Sequence, residues 1–144
     1  MLKGLDPLLN ADLLYVLRAM GHGDDLVIAD ANFPAATMGR RVIRLDGASS
    51  PRALGAVLSV MPLDDFVDEP CLRIEVVGDP DAVPEVCAEF GRQIEAVEGD
   101  RFTLGKIDRF AFYDRARQAF AVVQTGETRL YGCILLKKGV IRPD

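Results

Sequence analysis

The feature that most constrains this chain is a short apolar run, Leu26-Val27-Ile28-Ala29, set between Asp24-Asp25 and Asp30. It is too short for a helix and apolar throughout, so it reads as a buried strand that ends at Asp30. Ahead of it, Leu13, Leu14, Val16, Leu17 and Met20 fall on one helical stripe. Asn10 suits the N-cap of that helix and Gly21 can end it. The remaining chain continues the alternation. Residues 41–45 alternate as a second strand, and Ser50-Pro51 opens a helix that runs to about Met61 and stops at Pro62. Residues 71–77 form a third strand, and about 82–97 a helix that tolerates Pro84 only in its first turn. A short strand near Phe102, a helix over about 110–117 and apolar strands at 120–123 and 133–136 complete the chain. At 144 residues this is one α/β domain of alternating helices and strands, residues 1–144, without internal repeats.

Charge and cysteine usage remove several function classes. A net charge of −5 argues against a nucleic-acid partner, which selects for clustered cations. The short basic groups, Arg40, Arg41 and Arg44 and then Lys137 and Lys138, read as solvated edges. No stretch approaches the ~20 apolar residues of a membrane span. The N-terminal residues reach Lys3, Asp6 and Pro7 before any signal-type apolar run, so no targeting segment is expected. Cys71, Cys87 and Cys133 are odd in number and make no C-x-x-C pair. They suit unpaired thiols in a reducing compartment, the cytoplasm, rather than a disulfide framework or a zinc site.

Chemistry is expected around the first strand. Gly21-His22-Gly23-Asp24-Asp25 places the only histidine of the chain between two glycines, which leave the imidazole accessible. Histidine, with a usual pKa of about 6.5, can donate and accept protons near neutrality. At the far end of the strand, Asp30 leads into Ala31-Asn32-Phe33-Pro34-Ala35, and strand ends of α/β folds are common ligand positions. Taken alone, a histidine in a glycine turn is also an ordinary loop residue, and an aspartate after a strand is an ordinary turn former.

These segments, with Met38-Gly39 after them, resemble the signature of the L-fucose mutarotase / D-ribose pyranase family (RbsD/FucU type). The opening Met1-Leu2-Lys3-Gly4 with Pro7-Leu8-Leu9 is similar to the fucose branch. So are the block from Arg109 to Ala116, Thr125-Gly126-Glu127, Tyr131-Gly132, and the segment from Ile134 to Val140. The matching blocks keep their order over nearly the whole chain, while residues 49–106 carry little of the likeness.

The resemblance implies a three-layer-type domain of that kind and a ring-shaped homo-oligomer, a decamer, with sites near subunit junctions. It implies His22 as proton donor and Asp30 as a sugar-binding carboxylate. Arg109, Tyr131 and Gly132 are implied to contact substrate. At the third position of a Tyr-Gly-Asn tripeptide this chain has Cys133, a weak donor and weak acceptor in place of an amide.

The implied reaction, interconversion of sugar anomers, opens the ring by moving a proton to the ring oxygen while one leaves the anomeric hydroxyl. It needs acid–base groups and positioning, and no cofactor, metal or covalent nucleophile. Other readings stand beside it. Asp30 could cap a turn, Arg109 could pair with Asp108 or Asp114, and Tyr131 could be a half-buried strand residue with a wet hydroxyl. Phe110, Phe112 and Phe120 fit core or subunit contacts better than sugar platforms. For the whole chain, the alternatives are a pyranase acting on ribose, a non-catalytic monosaccharide-binding accessory protein of a sugar transport system, and a structural assembly subunit.

Overall fold

Helices and strands alternate through the computed structural model, which describes residues 1–144. In chain order they are α1 (Ala11–Ala19), β1 (Asp25–Ala29), α2 (Ala35–Met38), β2 (Val42–Leu45), α3 (Ser50–Leu58) and β3 (Cys71–Ile74). Then follow α4 (Glu85–Glu98), β4 (Gly105–Ile107), α5 (Arg109–Gln118), β5 (Ala121–Thr125) and β6 (Ile134–Lys137). The six strands form one mixed sheet in the order β2-β5-β1-β6-β3-β4. β1 runs parallel to β5, β5 to β2 and β3 to β4, while β6 is antiparallel to both β1 and β3.

The sheet is covered on both faces, which makes three layers. Along β1, Leu26 and Ile28 join the larger core with α1, α3 and α4, through Leu13, Leu54 and Phe90. Val27 and Ala29 point the other way, to a smaller core with Phe33, Phe112 and Ala116. A strand buried on both faces needs apolar residues at every position, and this is why the central run lacks alternation. β2, at the sheet edge, alternates exposed and buried. No helix is long and apolar enough to cross a membrane.

Local chemistry sets the helix starts. Asn10 Oδ1 accepts from the Leu13 N–H at 2.9 Å, as its type predicts. The cap of α3 is Ser49 rather than Ser50; Ser49 Oγ accepts from the Arg52 N–H, and Ser50 lies inside the first turn with Pro51. α3 also ends earlier than expected, at Leu58 rather than near Met61. β3 stops at Ile74 because Val76 and Asp79 close a turn through Gly78, which has a φ of +80°. The strand expected near Phe102 lies at Gly105–Ile107, where it pairs with β3. Pro84 is the N-cap residue of α4. The four-residue α2 has too few residues for a periodic signal and was not expected.

Candidate active site

Four segments meet at the C-terminal end of β1. Asp30 follows the strand and is buried. Its Oδ1 accepts the Asn32 N–H at 3.0 Å, so it does form the turn its type allows. The Asp30 N–H donates to Cys133 Sγ, and the Cys133 thiol donates to Asp30 Oδ2, both at 3.4 Å. Cys133 sits just ahead of β6, so the antiparallel strand brings it 103 positions along the chain to Asp30. Burial, and then the Asp30 charge, push the Cys133 thiol well above its usual pKa.

The turn before Cys133 is strained and tightly packed. Tyr131 is the only non-glycine residue with a positive φ, +64°, which costs on the order of 1–2 kcal/mol. Its hydroxyl accepts the Val77 N–H at 3.2 Å. A Cβ on Gly132 would lie 2.7 Å from Glu127 Cγ and 3.1 Å from Asp30 Cβ, so only glycine fits between them.

Glu127 anchors this turn from behind. Its carboxylate accepts from the backbone N–H, Nε and NH2 of Arg129, at 2.8 to 3.0 Å. Arg129 also pairs with Glu89 of α4. The Glu127 carbonyl accepts the Ala31 N–H at 2.8 Å, which ties the turn to the Asp30 loop. The Arg129 guanidinium holds the Glu127 carboxyl below its usual pKa, against the opposing effect of burial.

Asp108 caps α5 by accepting from the Phe110 and Ala111 N–H groups, and Asp114 pairs with Arg117. Neither therefore neutralises Arg109, whose guanidinium lies over the Phe110 ring at 4.9 Å. Arg109 and Tyr113, four residues apart, share one face of α5.

Together these segments line a partly open cavity of about 220 Å³. Asp30, Asn32, Arg109, Tyr113 and Tyr131 supply its polar groups, and Phe33, Ile74, Val77, Leu130 and Cys133 its apolar wall. One carboxylate, one guanidinium free of acidic partners, and hydroxyl and amide groups on an apolar floor can hold a small polyol by several hydrogen bonds at once.

His22 is elsewhere. It precedes β1 and so lies at the opposite end of the sheet from Asp30, with a strand of about 13 Å between them. Its Nε2 is 3.0 Å from Asp64 Oδ1, and its ring packs against Phe66 at 5.0 Å between centroids. The His22 side chain is 43% exposed and Asp64 is buried at 4%. Burial alone would raise the Asp64 carboxyl. The Phe66 N–H and the His22 ring bonded to it, with the charges of His22 and Lys137, outweigh this and hold it below its usual value. Gly23 has a φ of +85°, and its N–H donates to the Lys138 carbonyl, so the glycine turn folds back onto β6. A proton-transfer group oriented by a buried carboxylate is chemically suited to acid–base work.

Within one chain, then, Asp30, Arg109, Tyr131 and Cys133 line one cavity with Gly132 packed behind them, and His22 does not join them. Tyr131 is a strained turn residue and not a strand residue, and Arg109 pairs with neither Asp108 nor Asp114. Sequence reasoning missed Asp64, Ile74, Val77 and Leu130, and gave no site role to Asn32, Phe33, Tyr113 and Glu127, which stood only within the resembling blocks. Tyr113 had a usable signal in its helical spacing from Arg109. Asp64 had none, since 42 positions separate it from His22.

The chain is similar to known proteins over nearly its whole length. The model of the RbsD / FucU transport protein family matches residues 3–141. The fucose mutarotase of Bos taurus is 45% identical over 148 residues, covering 99% of this chain and 95% of its own length. The L-fucose mutarotase of Histophilus somni is 42% identical, covering 97% of each chain. The crystal structure of the fucose mutarotase from Streptococcus pneumoniae in complex with L-fucose superposes with a TM-score of 0.91. It is 41% identical and covers 98% of this chain and 100% of its own.

Proposed function

The chain belongs to the RbsD / FucU family, and from that premise we propose that it interconverts the α and β anomers of L-fucose or a closely related monosaccharide. It is then an isomerase of the mutarotase type. The observation that carries this reading is a sugar-sized cavity at Asp30, with polar groups set on an apolar wall, in a chain that also holds an imidazole on a buried carboxylate at His22. The likeness to mutarotases over almost the full chain supports it.

In this reading Asp30 and Arg109 accept from and donate to ring hydroxyls, and Tyr131 and Tyr113 add hydroxyl contacts. His22 gives a proton to the ring oxygen while water takes the proton of the anomeric hydroxyl, and reclosure on the other face reverses both transfers. Asp64 fixes the tautomer and direction of the imidazole. A non-catalytic sugar-binding role would have no use for this dyad, which counts against the accessory-protein alternative.

The separation of the two ends makes a second copy part of the proposal. His22 of one subunit would face the Asp30 cavity of the next. Such a head-to-tail contact is heterologous and closes into a ring when its rotation allows, consistent with the expected decamer. Exposed Phe66 at one end, and exposed Val77, Phe110 and Leu130 at the other, give the contact apolar area. We place the protein in the cytoplasm, in keeping with three cysteines that are all buried and unpaired.

The test is subunit complementation. His22→Ala and Asp30→Asn proteins are assayed alone and after mixing through a dissociated state, by NMR saturation transfer between the anomers of L-fucose. At a sugar concentration well below the raised KM of Asp30→Asn, each alone is expected to give little exchange, and the mixture to regain activity from junctions carrying an intact residue from each side. No recovery, with ring assembly confirmed by ultracentrifugation, would overturn the shared site. Absence of acceleration by the wild type for L-fucose and related sugars would overturn the mutarotase reading.

A further inference from the structure

The Cys133 thiol has one S–H to donate and a weakly accepting sulfur. Both are engaged by the same residue: the sulfur accepts the Asp30 N–H, and the S–H points to Asp30 Oδ2. The residue is 2% exposed and lines the cavity. Burial holds the thiol protonated, which keeps the S–H on Asp30 at neutral pH. Ile74, Phe33 and Val77 continue the wall with carbon.

A sugar hydroxyl set against this sulfur would leave its water partners and find no replacement, which is unfavourable. A methyl or methylene group would be in ordinary contact with a soft, polarisable atom. The S–H···Oδ2 contact is itself weak, so Asp30 Oδ2 keeps accepting capacity for a neighbouring hydroxyl. The two residues thereby divide the substrate: the carboxylate takes hydroxyls and the sulfur takes carbon.

We propose that Cys133 sets the specificity of the cavity by turning a carbon-facing wall to the substrate, so that the site favours a deoxy sugar whose deoxygenated carbon lies against the sulfur. This rests on the reading of the cavity as a monosaccharide site and narrows the class of monosaccharide it takes. Cys133 acts here as an apolar contact and not as a hydrogen-bonding one.

The experiment compares sugar pairs that differ by one oxygen. L-fucose is titrated against L-galactose, which carries one more hydroxyl at the exocyclic carbon, and against fucose analogues in which single ring hydroxyls are replaced by hydrogen. Binding is read by isothermal titration for wild type, Cys133→Asn, Cys133→Ser and Cys133→Ala. At one position the wild type is expected to prefer the deoxygenated sugar by about tenfold, within the range a single group contributes in an apolar pocket. Cys133→Asn brings a free donor and acceptor and is expected to reduce or reverse that one preference by about tenfold, while the other ratios stay within about threefold. Cys133→Ser moves it in the same direction by less and serves if the asparagine variant fails to fold. Cys133→Ala keeps the carbon wall and is expected to keep the wild-type preference.

Uniform loss for all sugars in Cys133→Asn and Cys133→Ser, or ratios that do not move in either, overturns the proposal. Anomer exchange on the same samples keeps the two readings apart. Shifted binding ratios without acceleration support the carbon wall and remove the mutarotase reading. Acceleration with unmoved ratios removes the wall alone. Failure of every sugar to bind removes both.

Discussion

The two ends of β1 carry different kinds of chemistry. At the C-terminal end, Asp30 sits in a partly open cavity whose walls come from the loop after β1, the end of β3 and the turn after it, α5 and the turn before β6. That turn contains the one strained non-glycine residue and is held by a buried carboxylate. At the N-terminal end, His22 lies half exposed, on one buried carboxylate and one exposed phenylalanine. The first end is built to recognise a shape, and its groups are held before any ligand arrives. The second, in the proposed reading, moves a proton and needs little more than a tautomer and a direction. Binding and proton transfer would then separate along one strand, and a substitution at either end should betray which function it touches.

His22→Ala should give the largest effect. General acid–base groups contribute about 10²–10⁴-fold, and we expect a fall of that size in the exchange rate of L-fucose anomers. Affinity measured by titration is expected to stay within about threefold, because the proposed hydrogen bonds to the sugar lie at the other end. A loss of binding as large as the loss of rate would break the division.

Asp30→Asn is the converse. A hydrogen bond to a charged group is worth about 1.5–3 kcal/mol, or about 10–150-fold. The expected result is a KM raised by that factor with a smaller change in kcat. If kcat falls and KM holds, Asp30 belongs with the chemistry and the comparison fails.

How much of this was legible follows the same division. The β1 run announced a buried strand because both faces are covered. Asn10 announced its cap because cap chemistry is local. His22 and Asp30 stood out because a glycine turn and a strand end are short-range features. Asp64 was hidden for the opposite reason: it acts on His22, 42 positions away, which only folding brings near. Glu127 bonds Arg129 two positions on, but its burial and the tie of its carbonyl to Ala31 are products of folding. Tyr131 was read in part as a strand residue because its type favours strands. The positive φ is imposed by the packing of Gly132 between Glu127 and Asp30 and by the bond from the Val77 N–H. Ser50 was taken for the cap of α3 because it precedes Pro51, and Ser49 offers the same oxygen one position earlier.

The Glu127 anchor sharpens the comparison at moderate size. In Glu127→Gln the amide keeps one acceptor but turns a donor toward the Arg129 guanidinium. An unsatisfied buried group costs about 1–3 kcal/mol, and for a chain of this size we expect a Tm about 5 °C lower. Since the turn also carries Tyr131, KM for L-fucose should rise while the response to His22→Ala is unchanged. A lower Tm with unaltered KM would reduce Glu127 to a structural tie.

The smallest expected effect is in the acid limb of stability, where the two ends can be read separately. Glu127 and Asp64 both have pKa values lowered in the folded chain, Glu127 chiefly by the Arg129 hydrogen bond. For Asp64, burial acts upward and is outweighed by the Phe66 N–H and by His22. A lowered folded pKa means that the unfolded chain binds more protons in the window between the two values, so stability rises with pH there. The contribution of Glu127 is complete above its ordinary value of 4.5, and that of Asp64 above 3.8, and each is lost as pH falls through the folded value. Replacing either by its amide removes its share, so the difference in Tm between pH 7 and pH 4 should shrink in Glu127→Gln. In Asp64→Asn the shrinkage should appear only at lower pH, because its window begins lower. The order of onset, measured by thermal melts across pH, distinguishes the anchor behind the cavity from the carboxylate beneath the imidazole. A common onset in the two variants would mean that the ends titrate as one coupled unit, and the separation along β1 would then be geometric without being energetic.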